Sequence, residues 1–279
     1  MLPIPFIDIL SLILSYISTV FAVYLPFMKN LAFLFFAALP MLCSGMHVVV
    51  PKKSAIGKKD TLKFSGYIWQ IRETGDSKQG PGPNRWKGAN AFVDTKGYLH
   101  LKLTKVGNSW YCAEVTSDKS FGYGTYQWDV EGRIDTLDKN VVLGLFNYSG
   151  VDGNDEMDIE ISRWGKASNN NTSYTIYPPQ PMPPKANWNK TFNTVLTDGE
   201  NTTQRFTRNS NKSVFFQELS GFHNDNINQI DSASCISPPI SISALAMPVH
   251  MNLWLFEAPS PSNNAEVEII IHSFKFTPQ

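Results

Sequence analysis

The sequence has no excess of charge of either sign, since its 279 residues include 24 Lys and Arg and 24 Asp and Glu. Proteins that bind nucleic acid through its phosphates carry a basic surplus, so this balance argues against a nucleic-acid partner. Histidine is scarce at five residues, and no group of Cys and His residues has the spacing of zinc ligands. No long stretch has helical periodicity. The sequence therefore disfavours nucleic-acid-binding, zinc-dependent and mainly helical proteins.

Cysteine is rarer still, with three residues in the chain: Cys43, Cys112 and Cys235. Cys43 falls in an apolar N-terminal leader, so the mature chain would keep Cys112 and Cys235. These two either form the single disulfide that an exported protein can maintain or remain buried free thiols. The sequence leaves both alternatives open.

The N-terminal segment lacks the basic residues that normally open a leader. Residues 1–27 are almost wholly apolar, and Asp8 is their only charged residue. Either this extension is a mis-assigned start and translation begins at Met28, or residues 5–27 span a membrane. The missing basic segment favours the first alternative.

A secretory signal peptide is predicted at residues 28–45. It has Lys29 near its start, the apolar run Leu31–Leu42, and small residues at positions 43–45. We therefore expect a protein secreted to the periplasm or the extracellular space. A membrane-anchored protein is expected only if the N-terminal segment is retained.

After a basic linker at residues 46–60, residues 61–279 consist of short segments of alternating polarity separated by turns. Leu99, Leu101 and Leu103 alternate with polar residues, which is the period of a half-buried strand. Examples of the segments predicted as strands are Tyr98–Thr104, Trp110–Thr116, Gly124–Val130, Val141–Phe146, Met157–Trp164, Ser173–Tyr177, Ser213–Gln217, Val249–Phe256 and Glu266–Phe276. We predict one all-β domain, an antiparallel β-sandwich of the jelly-roll, concanavalin A-like type with a concave cleft.

One predicted strand carries three carboxylates at alternate positions, Glu156, Asp158 and Glu160. Side chains on a strand alternate between its faces, so these three lie on one face. Three apolar residues take the other face and are expected in the core: Met157, Ile159 and Ile161. Like charges on one face repel one another and lose solvation in a cleft, so such a row is tolerated where a ligand or mechanism needs it or where water covers it.

Three interpretations of the row compete. An acidic face open to water is common. A Ca²⁺ site is a second reading, but the carboxylates spread over about 13 Å of an extended strand, too far to converge on one ion. In the third, Glu156 and Glu160 lean together and approach the separation of about 5–5.5 Å between the two carboxyl groups of retaining glycosidases. Aromatic residues on both sides of the strand favour the third interpretation.

The segment resembles the E-x-D-x-E signature of glycoside hydrolase family 16, which contains lichenases, laminarinases, agarases and carrageenases. Four further motifs resemble family strands in the family's order, and they are Tyr111–Glu114, Phe121–Tyr126, Leu145–Gly150 and His250–Trp254. The resemblance covers about residues 64–279, and the ordered set makes it specific.

The resemblance implies a secreted endo-glycosidase that hydrolyses β-1,3 or mixed-linkage β-glucan with retention of configuration. Glu156 then matches the nucleophile, Asp158 the assisting carboxylate and Glu160 the acid/base. Glu160 lies among other carboxylates and should hold its proton to a higher pH than a free Glu. The residues expected to bind substrate, with the flanking aromatic Trp164 included, are Glu114, Phe146, Tyr148, Trp164, Asn252 and Trp254. We expect a monomer that binds a polysaccharide and needs no cofactor, although a structural Ca²⁺ is compatible with this reading.

Some positions depart from the family pattern. Cys112 matches a residue that is disulfide-bonded in many lichenases, but its expected partner near Asn84–Trp86 is absent. Thr116 stands where lichenases often carry an Arg, and residues 204–208 lack the usual Trp. The exact substrate therefore stays open. So do two other functions on the same fold: a carbohydrate-binding sandwich without catalysis, and a transglycosylase.

Overall fold

The computed structural model describes residues 60–179, 187–210 and 212–279. Two antiparallel sheets pack face to face over these residues, which confirms the predicted jelly-roll sandwich. The N-terminal extension, the signal peptide and the linker up to residue 59 lie outside the described residues. None of the helices in the described part of the chain has the length and apolar character needed to cross a bilayer.

The sheet that carries the carboxylates is here called the front sheet. Its strands are β1 (Thr61–Phe64), β2 (Tyr67–Ile71), β6 (Ala113–Phe121), β8 (Val141–Tyr148), β9 (Glu156–Ile161), β10 (Thr172–Tyr177), β11 (Trp188–Phe192) and β15 (Met247–Leu255). They lie side by side in the order β1-β2-β6-β15-β8-β9-β10-β11.

The second sheet is here called the back sheet. Its strands are β3 (Ala91–Val93), β4 (Leu99–Val106), β5 (Ser109–Tyr111), β7 (Gly124–Glu131), β12 (Asn201–Asn209), β13 (Ser213–Ser220), β14 (Gln229–Ile236) and β16 (Val267–Pro278). They follow the order β14-β13-β12-β7-β16-β4-β3, and β5 pairs with β4. Two single-turn 3₁₀ helices, Gly88–Asn90 and Ile134–Thr136, complete the described elements.

The core lies between the two sheets and follows the polarity pattern of the strands. Leu99, Leu101 and Leu103 are fully buried, as expected. The apolar residues that alternate with the carboxylates of β9 are also fully buried, and they are Met157, Ile159 and Ile161. Because this face fills the core, the opposite face of β9 must point out of the sandwich.

The predicted strand Trp110–Thr116 is divided in the structure. It forms β5 and β6, with Cys112 between them, where the backbone of Cys112 pairs with Trp86. Trp86 is fully buried, and it lies where the disulfide partner of Cys112 would be expected. Cys112 and Cys235 are both buried free thiols, so the free-thiol alternative is confirmed. Burial raises the pKa of the Cys112 thiol to about 12 and that of Cys235 to about 11.

Candidate active site

The floor of the cleft is formed by β15, β8 and β9, which are adjacent at the centre of the front sheet. Their register places cleft-facing residues in rows across the strands: Asn252–Gly144–Glu160 and His250–Phe146–Asp158. Glu156 pairs with Tyr148 one step further along the strands. Each carboxylate therefore has a neighbour of a different type on β8.

A cavity of about 400 Å³ opens above this floor. Its lining residues are Arg72, Gly80, Pro81, Glu114, Phe146, Tyr148, Asp152, Glu156, Asp158, Glu160, His250, Asn252 and Trp254. This set includes all the residues expected in the site except Trp164. The structure thus brings residues from β6, β8, β9 and β15 into one concave space.

Trp164 lies outside this cavity. β9 ends at Ile161, so the alternation of faces does not extend to Trp164, whose φ is 51°. Its indole packs edge-on against Trp254 at 6.2 Å between ring centroids. It lines a second cavity, together with polar residues of the adjoining strands that include Ser173 and Thr191. Since Ser173 pairs with Glu160, this second cavity adjoins the first at the Glu160 end.

The three carboxylates hold protons more strongly than free carboxyl groups do. Burial raises the pKa of Glu160 to about 8, and the charge of Glu156 adds to this effect. Burial also raises the pKa of Glu156 to about 7, although a hydrogen bond with Asp158 acts in the opposite direction. Asp158 is only 3% exposed, and burial and then the charges of the two glutamates raise its pKa well above the usual value. The row therefore retains protons near neutral pH, as a general acid requires.

Some buried polar atoms of the cleft make no hydrogen bond within the described part of the chain. Oδ2 of Asp158 and Oδ1 of Asn252 are two of them. Buried polar atoms are usually paired, so unpaired atoms in a cleft are available to a ligand. Gly144 makes room for Asn252, because a Cβ at this position would overlap the Asn252 side-chain oxygen.

Glu114 is held in a charged network at one wall of the cleft. Arg72 donates a hydrogen bond from Nη1 to Oε2 of Glu114 at 2.7 Å, and Nδ1 of His250 lies 3.1 Å from Oε1. Burial alone would raise the pKa of Glu114, but the hydrogen bond with His250 and the charge of Arg72 hold it below its usual value. The Arg72 guanidinium also stacks over Trp86 at 4.1 Å. Glu114 is therefore an ionised acceptor at fixed orientation.

Sequence reasoning did not identify Arg72, Asp152, Gly144 or His250 as site residues. His250 stacks on Phe146 at 5.0 Å between ring centroids. Because it is the first residue of the motif His250–Trp254, the sequence did contain an indication of its place in the site. Asp152 accepts a hydrogen bond from the Tyr148 hydroxyl at 2.6 Å, and burial together with this bond raises the pKa of Tyr148. Arg72 directly follows β2, which is distant in sequence from the other strands of the site, and no recognisable pattern marks it.

No group of three or more His, Cys, Asp and Glu side chains in residues 60–179, 187–210 and 212–279 has an arrangement suited to a metal ion. A structural Ca²⁺ stays a prediction. The arrangement suits acid–base and nucleophilic chemistry, because a protonated carboxyl and a second carboxyl lie on the same strand and face the same cavity.

The fold and the cleft define the class of protein as a jelly-roll sandwich with a carboxylate row in a concave cleft. A β-glucanase of Bacillus licheniformis has this fold, with a TM-score of 0.56 at 18% identity over 81% of this chain and 100% of that protein. A β-1,3-1,4-glucanase (lichenase) from a mouse hindgut metagenome gives a TM-score of 0.53 at 17% identity, over 78% of this chain and 96% of the other. A Mycobacterium tuberculosis protein described as an immunostimulatory antigen and pseudo β-1,3-glucanase gives 0.56 at 16% identity, over 76% and 91%.

The structures similar to this chain thus include glucanases and glycoside hydrolase family 16 proteins. No family model matches the sequence, and no curated protein matches it. At these identities the likeness establishes the shared fold.

Proposed function

We propose that the protein is a retaining endo-β-glucanase of glycoside hydrolase family 16, acting on β-1,3 or mixed-linkage β-glucan. The observation that carries the proposal is the row Glu156, Asp158 and Glu160, which lies in the cavity with raised pKa values. The carboxyl groups of a row that only faced water would not be expected to have pKa values raised to near neutral pH.

In the proposed reaction, Glu160 protonates the glycosidic oxygen while Glu156 attacks the anomeric carbon. Water then hydrolyses the glycosyl-enzyme, with Glu160 as the base. Asp158 hydrogen-bonds Glu156 and orients it for attack. Glu114, Asn252 and Tyr148 offer polar atoms to the sugar hydroxyls, and Phe146 and Trp254 offer ring faces.

The substrate is proposed to be a neutral glucan because the cavity has few cations. Among the lining residues that the structure describes, Arg72 is the only Lys or Arg, and Glu114 neutralises it. An anionic galactan would need a more basic cleft. Export through residues 28–45 and a monomeric state remain predictions.

A substrate panel tests this proposal. We expect release of oligosaccharides of mixed size from β-1,3-glucan or barley-type mixed-linkage glucan, and little from agar or carrageenan. Proton NMR of the first product should show the β-anomer before mutarotation, because double displacement retains configuration. A first-formed α-anomer would refute the mechanism, and release of only one small product would refute endo action.

Carbohydrate binding without catalysis is the second candidate function, because one protein with this fold is described as a pseudo β-1,3-glucanase. It predicts that the same panel is bound but not cleaved. A transglycosylase would cleave the glucan but join the product to an added oligosaccharide, which product sizing with a labelled acceptor detects.

Trp254 is expected to contribute to substrate binding rather than mainly to stability. It lines the cavity with Asn252, whereas its neighbour Leu253 is fully buried in the core. Trp254→Ala should lower kcat/KM about tenfold, through the loss of a stacking contact of about 1.4 kcal/mol. Because Trp254 is itself only 7% exposed and packs against Trp164, a fall in melting temperature should accompany this loss.

Leu253→Ala on the same strand is the matched control. It should destabilise the fold by about 2–5 kcal/mol while leaving the kcat/KM of the folded fraction near that of the parent. An unchanged kcat/KM in folded Trp254→Ala would remove Trp254 from the substrate-binding set.

A further inference from the structure

The outer face of the back sheet, on the side away from the core, carries a second polar groove of about 380 Å³. β7, β12, β13 and β16 contribute its floor, and a segment around residues 222–226 forms one wall. Its lining residues are Thr125, Gln127, Arg205, Thr207, Phe215, Gln217, Asn224, Asn226, Lys275 and Thr277. None of these lining residues is an Asp or a Glu.

The strand register orders the floor into two straight rows across four strands. The first row is Phe215–Thr207–Thr125–Thr277, and the second is Gln217–Arg205–Gln127–Lys275. Neighbouring strands lie about 4.8 Å apart, so each row spans about 14 Å. The two rows together are called the back band. It offers a line of hydroxyl groups that begins at an aromatic ring, beside a line of amide and cationic groups.

Arg205 holds the wall of the groove to the floor. It is only 7% exposed, and it donates to the side chains of Gln127 and Gln217 at 3.0 and 3.3 Å. It also donates to the backbone oxygens of His223 and Asp225 at 2.9 and 3.2 Å. The wall is therefore preorganised, which lowers the entropic cost of binding a ligand.

The chemistry of the band favours an uncharged, hydroxyl-rich ligand. The guanidinium of Arg205 is occupied by protein acceptors, which also include Asn226 Oδ1 at 3.0 Å, so it is a poor receptor for an external anion. Lys275 is exposed at the end of its row. The amides of Gln127 and Gln217 are also occupied, because they bond to Arg205, His223 and Gln229. The floor therefore offers the threonine hydroxyls of the first row and one ring face, which are groups that hydrogen-bond and stack on sugar rings.

We propose that the back band is a second carbohydrate-binding site, which takes a neutral β-glucan chain on the side of the sandwich opposite the cleft. The site goes beyond the proposed function, and only the identity of the sugar rests on that function. With the back band bound to one chain of polymeric glucan and the cleft bound to another, the protein would bind the polymer more tightly than through either site alone.

An NMR titration of the ¹⁵N-labelled Glu160→Gln protein with laminarihexaose tests the site. Amide signals of the back band, such as those of Thr125, Gln127 and Phe215, should shift and saturate. Phe215→Ala should weaken this binding about tenfold. Phe92→Ala is the control, because Phe92 is a ring on the same sheet but outside the band, 40% exposed on β3 at the sheet's edge, whereas Phe215 is half-buried. It should leave the affinity unchanged.

The outcomes separate this inference from the proposed function. If the band signals of Glu160→Gln saturate but the parent protein, with Glu160 intact, hydrolyses no glucan, the second site stands and the proposed function fails. If only cleft signals shift, the second site is refuted whether or not Phe215→Ala folds. Tighter binding of a sulfated galactan oligosaccharide than of laminarihexaose at the band would overturn the neutral ligand class.

Discussion

Glu156→Ala is expected to lose hydrolysis by roughly three orders of magnitude or more, because the covalent step of the proposed mechanism needs this carboxylate. Azide should restore the reaction on an activated β-glycoside and give an α-glycosyl azide. The small anion fits the space that the removed carboxylate leaves and attacks the anomeric carbon from the same side. Chromatography against synthetic azide standards measures both the rescue and its configuration.

Glu218→Gln is the matched control for this substitution. Glu218 is fully buried in the sandwich core, and burial raises its pKa to about 7, as for Glu156. It accepts hydrogen bonds from Thr194 and Gln204 and does not line the cleft. Its loss should therefore change stability but leave the activity of the folded protein unchanged.

A β-configured azide product from the Glu156→Ala variant would reverse the roles, with Glu156 as the acid/base. An unchanged rate in Glu156→Ala would mean that the cleft binds glucan without cleaving it by this route. Either result leaves the fold untouched, because the core face of β9 is formed by Met157, Ile159 and Ile161.

The position of the carboxylates could be predicted because it depends on one strand only. Alternation within Glu156–Ile161 sets which side chains share a face, and the structure has the apolar set in the core. The predicted strand Met157–Trp164 was too long, because β9 ends at Ile161 and the backbone turns at Trp164, whose φ is 51°. A period of two applies only while the chain remains extended.

Residues that depend on pairing between distant strands could not be predicted in the same way. Arg72 reaches Glu114 because β2 pairs with β6, and Gly144 faces Asn252 because β8 pairs with β15. No local pattern encodes these registers. Edge strand β14 is hard to identify from the sequence for a different reason, since most of its residues are half-buried or exposed and show no apolar face.

The stability of the protein should fall as the carboxylates of the cleft ionise. A free Glu has a pKa of 4.5, and burial raises that of Glu160 to about 8 in the folded protein. The group binds its proton more tightly when folded, so its contribution to stability is complete below pH 4.5 and is lost as the pH rises through about 8. Stability is lost because the ionised carboxylate of Glu160 is buried, and poorly solvated, in the folded protein.

Glu160→Gln should therefore be more stable than the parent at pH 9 by a few kcal/mol, on the order of 5–10 °C in melting temperature. Near pH 4 the two proteins should unfold alike, because a protonated Glu and a Gln are close in shape and charge. Thermal unfolding by circular dichroism at a series of pH values measures the difference.

Glu114→Gln supplies a comparison of opposite sign. The hydrogen bond with His250 and the charge of Arg72 hold the pKa of Glu114 below its usual value despite burial. Its contribution to stability is present above the unfolded pKa and is lost as the pH falls through the folded one. Glu114→Gln should therefore be less stable than the parent at neutral pH and should approach it in acid. If Glu160→Gln were also less stable than the parent at pH 9, the ionised carboxylate row would stabilise the fold. The row could then no longer be explained as a feature that lowers stability and is kept because the mechanism needs it.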